Sequence, residues 1–367
     1  MKHTLLVTGS SGLIGSAVCV ALARRFQVVG LDRRPPPPSL SRAAPNVQWH
    51  TGDIADKRIL QDIFKCNVDL KQPIDIVLHF AAFYHYGSDW RKEYDAINVQ
   101  GTRNIMAAAC YWGAWRVIFA SSIGSLKPPP DGAALTEDDT ETVTFPYNRS
   151  KAMGEAIVAA SNHRTAALVL RIGGVFSDWC ELPPLYSLIK LWSRRGVMGR
   201  CMPGRGRTGF PYIHRQELVK MISRIIDRED ELASFETFFC SEPECTSHAE
   251  LYPLIRKHSR HGSPAPPIHT SKRLVHPLMA GKYLCNRLLR KETYERTWML
   301  KFVDRPLRID ATRTRDKLQW TPHPDYTILN RLPVMMQHFN QARALWERRN
   351  IRRNEACYEF HPDDNGL

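Results

Sequence analysis

Tyr147 and Lys151 stand one helical turn apart in the string Tyr-Asn-Arg-Ser-Lys. A free phenol titrates near ~10, too high for a base at neutral pH. An ammonium group within about 4–6 Å favours the phenolate, as does the positive ring of an oxidised nicotinamide. Far upstream, Thr8 to Gly15 reads Thr-Gly-Ser-Ser-Gly-Leu-Ile-Gly directly after the apolar run Leu5-Leu6-Val7. Glycines at a strand-to-helix turn let the backbone approach a pyrophosphate, whose charge is stabilised at a helix N-terminus. The two strings together point to hydride chemistry on a carbinol or ketone with a nicotinamide cofactor. A lone Tyr-x-x-x-Lys is common on helix surfaces, and a glycine turn needs no ligand; the conjunction carries the expectation.

These residues need elements to hold them. Residues 4–7 read as a buried strand and 13–25 as a helix. Gln27 to Leu31 reads as a strand ending at Asp32, an acidic side chain placed to accept hydrogen bonds from the adenosine ribose. Its charge repels a 2′-phosphate and favours NAD. Arg33 and Arg34 pull the other way, so NADP stays open as the alternative. The prolines Pro35–Pro38 mark a surface loop. Val47-Gln48-Trp49 and Ile74 to Phe80 read as strands, with a short helix near 57–65 between them. A long helical pattern from Arg91 to Tyr111 carries Asn98 and Thr102. Arg116 to Ala120 is another apolar strand, ending in Ser121-Ser122, and a serine there can donate to a developing alkoxide. Residues 147–162 are helical, and Ala167 to Ile172 and Phe235 to Cys240 are strands. Apolar strands alternating with helices indicate a parallel sheet covered on both faces. Ser247-His248-Ala249-Glu250 has the spacing of a capping box.

The ordered motifs Gly9 to Gly15, Gly52-Asp53-Ile54, His79-Phe80-Ala81-Ala82, Asn98-Val99-Gln100-Gly101-Thr102, Ala120-Ser121-Ser122 and Tyr147 to Lys151 resemble those of the extended short-chain dehydrogenases/reductases, also called the NAD-dependent epimerase/dehydratase family. The resemblance covers nearly all of residues 1–175 and continues weakly through Pro211-Tyr212-Ile213-His214, Ile309-Asp310 and Leu318 to Pro322. It implies an α/β fold, a doubly wound parallel sheet (Rossmann) with a smaller, mixed C-terminal substrate domain. Residues 1–175 would form the NAD(P)-binding domain, with a returning strand near 235–241. Residues 176–234 and 242–350 would shape the substrate region, and 351–367 would be a flexible tail.

By the same resemblance Gly9, Ser11, Gly12, Leu13, Ile14 and Gly15 line the pyrophosphate, beside Asp32 as the ribose acceptor and Arg33 as a partner open to a 2′-phosphate. Asp53 and Ile54 meet the adenine, while Ala81 and Ala82 pass beneath the cofactor. Tyr147 is the general acid/base, Lys151 binds the nicotinamide ribose, Ser122 holds the substrate oxygen and Asn98 supports the site. The pattern also breaks. Ile123-Gly124 follow Ser122 where 4,6-dehydratases carry an Asp-Glu pair, which disfavours expulsion of water. Gly174 stands where sugar-nucleotide epimerases place an Asn, and Phe210 where they place an Arg; Arg205, Arg207 or Arg215 could substitute. The run Arg171 to Phe176 is closer to hydroxysteroid dehydrogenases and ketone-reducing relatives, although Ser177-Asp178 replaces their usual Gly-Pro. Tyr84, Tyr86, Trp179 and Trp192 could wall an apolar pocket or simply pack. An NAD(P)-dependent oxidoreductase is therefore the first expectation, a sugar-nucleotide epimerase the second, and a non-catalytic cofactor sensor the third.

Composition sets the surroundings. The chain of 367 residues is 43% hydrophobic and 24% charged, as in ordinary globular proteins. Its net charge of +14 is uneven: residues 1–150 hold 16 Lys/Arg against 14 Asp/Glu, leaving 35 against 23 beyond. The basic half suits an anionic small-molecule substrate, a partner or an acidic membrane surface, or is simply a solvated face. Residues 272–300 are basic and partly amphipathic, which leaves peripheral membrane contact open. No motif supports nucleic-acid binding. Nine cysteines without a Cys-x-x-Cys argue against a disulfide framework or a zinc site and fit a reducing, cytoplasmic compartment. His258, His261, His269 and His276 match no metal spacing, so no metal is expected. No run is long enough for a membrane span. Homodimers pairing long helices are what the resemblance implies for assembly.

Overall fold

In a computed structural model the described residues are 3–85, 87–129, 132–140, 142, 145–161, 164–260, 265–271 and 297–350. The basic stretch 272–296, the tail 351–367, Tyr86, His261 and His276 lie outside them.

The leading half is a βα alternation: β1 (Thr4–Thr8), α1 (Leu13–Leu22), β2 (Gln27–Asp32), α2 (Pro38–Ala43), β3 (Val47–Thr51), α3 (Lys57–Asp69) and β4 (Ile76–His79). A π-helix, Tyr94–Gly101, runs directly into α4 (Thr102–Trp112), followed by β5 (Arg116–Ser122), α5 (Pro146–Ser161) and β6 (Ala166–Ile172). Then come β7 (Gly174–Phe176), α6 (Pro183–Trp192), β8 (Cys201–Pro203), β9 (Gly209–His214), α7 (Arg215–Asp227), β10 (Phe235–Cys240), β11 (Cys245–Ser247), α8 (His248–His258) and β12 (Ile268–Thr270). Helices Thr312–Leu318, Ile328–Gln341 and Arg343–Asn350 close the described chain.

Seven strands pair in the order β10-β6-β5-β4-β1-β2-β3, every pair parallel. That is a doubly wound sheet with one strand added beyond β6 and a reversal of strand order between β1 and β4. The register Leu5↔Val28 and Leu5↔Ile76 puts the ends of β1, β2 and β4 level. Alternation along each strand divides the core. Leu5, Val7, Ile118, Leu168 and Leu170 face α1 and α7, where Val18, Leu218 and Ile222 meet them. Leu6, Val77, Val117, Phe119 and Val169 face the other way, onto Leu60 and Phe64 of α3, Ile105 of α4 and Val158 of α5. Strands buried on both faces must be apolar throughout, which is why β1 is Thr-Leu-Leu-Val-Thr without a charged residue.

Beyond β6 the chain leaves the main sheet at Gly173. There β7 pairs parallel with β9, and β11 pairs antiparallel with β9, giving a small mixed sheet. A separate core of Phe176, Leu185, Trp192, Tyr212, Leu251, Leu332 and Trp346 packs around it. The proline run differs from the sequence expectation: Pro38 opens α2, because proline is tolerated at a first helical position whose N–H has no partner anyway. The expected capping box at Ser247 and Glu250 is present.

Candidate active site

The C-terminal ends of β1, β2, β4 and β5 converge beside the reversal in strand order, where ligands bind in sheets of this kind. After β1 the chain turns at Gly9 with φ +69°, and the Gly9 N–H donates to Leu31 O at 2.8 Å. A side chain on Gly15 would put its Cβ 2.2 Å from Gly9 O, and one on Gly9 would approach Ala81 N to 2.9 Å. Only glycine allows the first turn of α1 to press against this loop. Gly12 caps α1 without any side-chain hydrogen bond, so the leading N–H groups of Leu13, Ile14 and Gly15 face out of the helix end. An anion fits that end, and the glycine cradle keeps clear the space in front of it.

Asp32 ends β2 half-buried. Its carboxylate accepts from Ser11 N at 3.0 Å and Arg34 N at 3.3 Å, which holds it at the cradle's edge with acceptor capacity remaining. Arg33 beside it is exposed. Asp53 accepts from Ala55 N at 2.9 Å and lines an open cleft of about 540 Å³ with Gln100 and Asn104. The Ile54 side chain turns into the core against Gly101, leaving backbone rather than side chain at that rim. Ala81 and Ala82 follow β4, with the Ala81 N–H donating to Thr8 Oγ1 at 3.2 Å.

Tyr147 lies in the first turn of α5, its ring edge-on to Tyr84 with centroids 4.7 Å apart. One turn on, Lys151 is buried and its ammonium donates to Ala120 O at 2.7 Å, 5.0 Å from the Phe119 ring. Gly154 makes that reach feasible, since a Cβ there would lie 2.4 Å from Phe119 Cζ and hold α5 off the strand. Burial pushes the Lys151 pKa down to about 8, with Glu155 opposing. Ser122 Oγ accepts from Gly124 N at 3.2 Å, and Asn148 Nδ2 donates to Gly124 O at 2.6 Å. The turn after Ser122 is thereby tied to the start of α5. Asn98 sits inside the π-helix, a winding frequent at functional sites. Its side chain clamps Phe83 N and O at 2.7 and 3.0 Å and donates to Ser150 Oγ at 2.8 Å.

The expected residues therefore gather along one edge, and the chain adds some that the sequence did not single out. Ser150 on α5 and Thr8 at the end of β1 join the site, for which a small polar residue on a helix or ending an apolar strand is a weak signal, and Tyr84, one of the aromatic residues the sequence offered as pocket wall or packing, stands there too. The aromatic positions divide. Tyr84 stands against Tyr147, whereas Trp179 stacks on His338 with centroids 4.1 Å apart, and Trp192 is fully buried with Nε1 donating to Cys201 O. Both tryptophans pack against other parts of the chain rather than beside Tyr147. Arg171 pairs with Glu155 at 2.9 Å and donates to Glu137 O, an internal strut. Arg215 is buried, while Arg205 and Arg207 are exposed on a turn whose backbone N–H groups hold Asp304. Phe210 lies beside Gly124, 3.7 Å from where a Cβ would stand. Among the described residues no group of His, Cys, Asp or Glu is arranged to hold a metal ion, and no helix is long and apolar enough to cross a membrane.

The family model described as "NAD dependent epimerase/dehydratase family" matches residues 5–240. The chain belongs to that family. It is 35% identical over 164 residues to the UDP-glucose 4-epimerase of Haemophilus influenzae, covering 42% of this chain and 47% of that protein. It is 26% identical over 231 residues to sterol demethylase protein B of Methylococcus capsulatus, covering 61% and 66%. The chain spans about half the length of the first curated relatives it matches, 47% and 50%. Among solved structures, UDP-glucose 4-epimerase of Thermotoga maritima with UDP-glucose superposes at a TM-score of 0.68 over 93% of this chain and 99% of that one, at 17% identity. That likeness establishes the shared fold.

Proposed function

We propose that this protein binds NAD at the sheet edge and moves a hydride between the nicotinamide and a secondary alcohol or ketone of a small molecule with an apolar face. The observation that carries the reading is the joint placement of Lys151, Tyr147 and Ser122. Lys151 is buried against Ala120 O two residues before Ser122, and Asn148 ties the Tyr147 turn to Gly124 just after it. NAD, when bound, supplies the acceptor for the hydride. Gly9, Ser11, Gly12, Leu13, Ile14 and Gly15 would hold its pyrophosphate through backbone N–H groups, and the free end of α1 favours that charge. Asp32 would accept from the adenosine ribose, with Arg33 outside it. Asp53 and the backbone at Ile54 would border the adenine, and Ala81 and Ala82 would form the floor.

The chemical work of the chain is proton handling. Ser122 Oγ would donate to the substrate oxygen, and Tyr147 would take the hydroxyl proton in oxidation or return it in reduction. Lys151, with one proton on Ala120 O, has two more to offer a ribose hydroxyl, and its charge favours the phenolate. Asn98 supports α5 without touching the reacting atoms. Residues 176–234 and 242–350 would shape the substrate side, with 1–175 and the returning strand β10 as the cofactor unit. Phe210 and Tyr84, aromatic side chains beside the site, support an apolar substrate over a diphosphate.

The second reading is a sugar-nucleotide epimerase, favoured by the name of the Haemophilus influenzae relative. An epimerase returns the hydride and needs no added cofactor; a dehydrogenase consumes it stoichiometrically. Purified protein assayed with and without added NAD or NADP, against a steroid and ketone panel and a UDP-sugar panel, separates them. Turnover of a UDP-sugar without added cofactor would overturn the first reading. The same proposal places the enzyme in the cytoplasm as a homodimer; seven described cysteines, all free thiols, support a reducing compartment.

A further inference from the structure

A buried line of polar groups runs beneath the site, and its protons admit one arrangement. The Thr102 hydroxyl gives its single proton to Asn98 O at 2.7 Å. It therefore can only accept from His79 Nε2, 3.1 Å away, so that nitrogen carries the ring proton. In the neutral ring Nδ1 is then bare, and the Thr8 hydroxyl 2.8 Å away must donate to it. Thr8 Oγ1 in turn accepts the Ala81 N–H at the cofactor floor. On the other side Asn98 donates to Ser150 Oγ, and Ser150 donates to Tyr147 O at 2.6 Å. His79, Thr8, Thr102, Asn98 and Ser150 are all nearly or fully buried, so no water competes for these bonds.

We infer that His79 and Thr102 are positioning residues: the one-way line Ala81–Thr8–His79–Thr102–Asn98–Ser150 fixes the Tyr147 end of α5 relative to the cofactor floor. The inference rests on the hydride-transfer reading above for its kinetic consequence, while its proton arrangement stands independently. A doubly protonated ring would present a donor to Thr8 and force that hydroxyl to turn away. Burial, with the Lys151 ammonium adding to it, pushes the His79 pKa down to about 3 and keeps the ring neutral. Both His79 and Thr102 lie outside the reacting groups and act through Asn98.

Thr102→Val keeps the side-chain shape and removes the hydroxyl. Nitrogen-15 spectra of the wild-type His79 ring should show a single Nε2-protonated tautomer between about pH 5 and 8. In Thr102→Val the tautomer should lose that preference, and NADH formation with an alcohol from the panel should fall about tenfold while NAD affinity stays within about twofold, because small displacements of a positioned group cost rate more than binding. Thr102→Ser should restore the tautomer and the rate. A wild-type ring protonated on Nδ1, an unchanged rate in Thr102→Val, an equal loss in Thr102→Ser, or a rate loss that merely follows a lowered melting temperature would each overturn the inference. If the wild type oxidises no alcohol, the hydride-transfer reading fails instead, and the tautomer with its dependence on Thr102 decides alone.

Discussion

The edge formed by β1, β2, β4 and β5 and the region packed around β7 and β9 are held by different means. At the first, positions are set by backbone: a glycine turn, strand ends in register, an uncapped helix, and side chains that bind main-chain groups, as Lys151 does at Ala120 O and Asn98 at Phe83. At the second, an apolar core is joined by side-chain ion pairs that pin the turn after β7. The turn after β7 carries two successive non-glycine residues with positive φ, Cys180 at +76° and Glu181 at +58°. Such a turn persists only when its surroundings over-determine it. Here Glu181 pairs with Arg349 at 2.8 Å with both side chains fully buried, Glu181 N donates to Asn350, and Asp178 pairs with Arg331. The lesson is that main-chain geometry sets the first region, while paired side chains pin the second.

The largest break in the comparison comes from the shared chemistry. Tyr147→Phe removes one oxygen and nothing else from the cofactor edge, so turnover should fall by about 10²–10⁴-fold. NAD affinity, measured by fluorescence titration, should stay nearly intact, because none of the proposed cofactor contacts uses the phenol oxygen. Unchanged turnover would remove Tyr147 from the proton-handling role. Arg349→Met tests the other region. It removes the Arg349 charge from beside a buried carboxylate and should cost about 3–5 kcal/mol of stability, measured by denaturant unfolding. NAD binding to the folded fraction should persist. If that variant lost NAD binding while still folded, the two regions would not be separable in the way described.

How much of this was legible in the sequence follows the same division. Gly9 and Gly15 could be read because the turn tolerates no side chain at either, Gly12 because it spaces them, and Asp32 because it ends the next strand. The parallel sheet followed from apolar runs alternating with helices, whereas the strand order came only with the structure. Arg91 to Tyr111 read as one helix, but Tyr94–Gly101 winds as a π-helix. Apolar spacing does not separate that winding from an α-helix, whereas the Asn98 side chain and its C=O are both committed to partners in other parts of the fold or on Thr102. Trp179 and Trp192 were unreadable for a further reason. Their surroundings come from His338, 159 positions away, and from the Cys201 backbone, so composition alone left packing and pocket wall equal. The His79 line was hidden likewise, since a histidine ending an apolar strand shows nothing of Thr8 and Thr102 on either side.

A smaller effect sharpens the cofactor edge. Asp32→Ala removes the charge that would repel a 2′-phosphate and frees Ser11 N and Arg34 N, with Arg33 exposed beside them. Discrimination between NAD and NADP should relax by about tenfold, as the ratio of the two dissociation constants; one such factor corresponds to about 1.4 kcal/mol. An unchanged ratio would contradict the ribose contact. Arg349→Met should leave that ratio unaltered, since its partners lie around the other core.

The smallest expected effect concerns the stability cost of the buried amine itself. The Lys151 pKa is pushed from 10.5 down to about 8 by burial, so between those values the unfolded chain binds more protons than the folded one. Stability rises with pH wherever the unfolded state holds more protons. The penalty for burying the ammonium is therefore fully present below about pH 8 and is relieved as pH climbs towards 10.5. Lys151→Met keeps the stem and removes the charge. It should melt a few degrees above the wild type at neutral pH, with the gap closing between about pH 8 and 10.5, even as turnover is lost. A constant difference across that range would mean that the amine reaches water in the folded protein. An amine so solvated would favour the Tyr147 phenolate far less, and the cofactor edge would lose the low-dielectric setting that distinguishes it from the exposed arginines at 205 and 207.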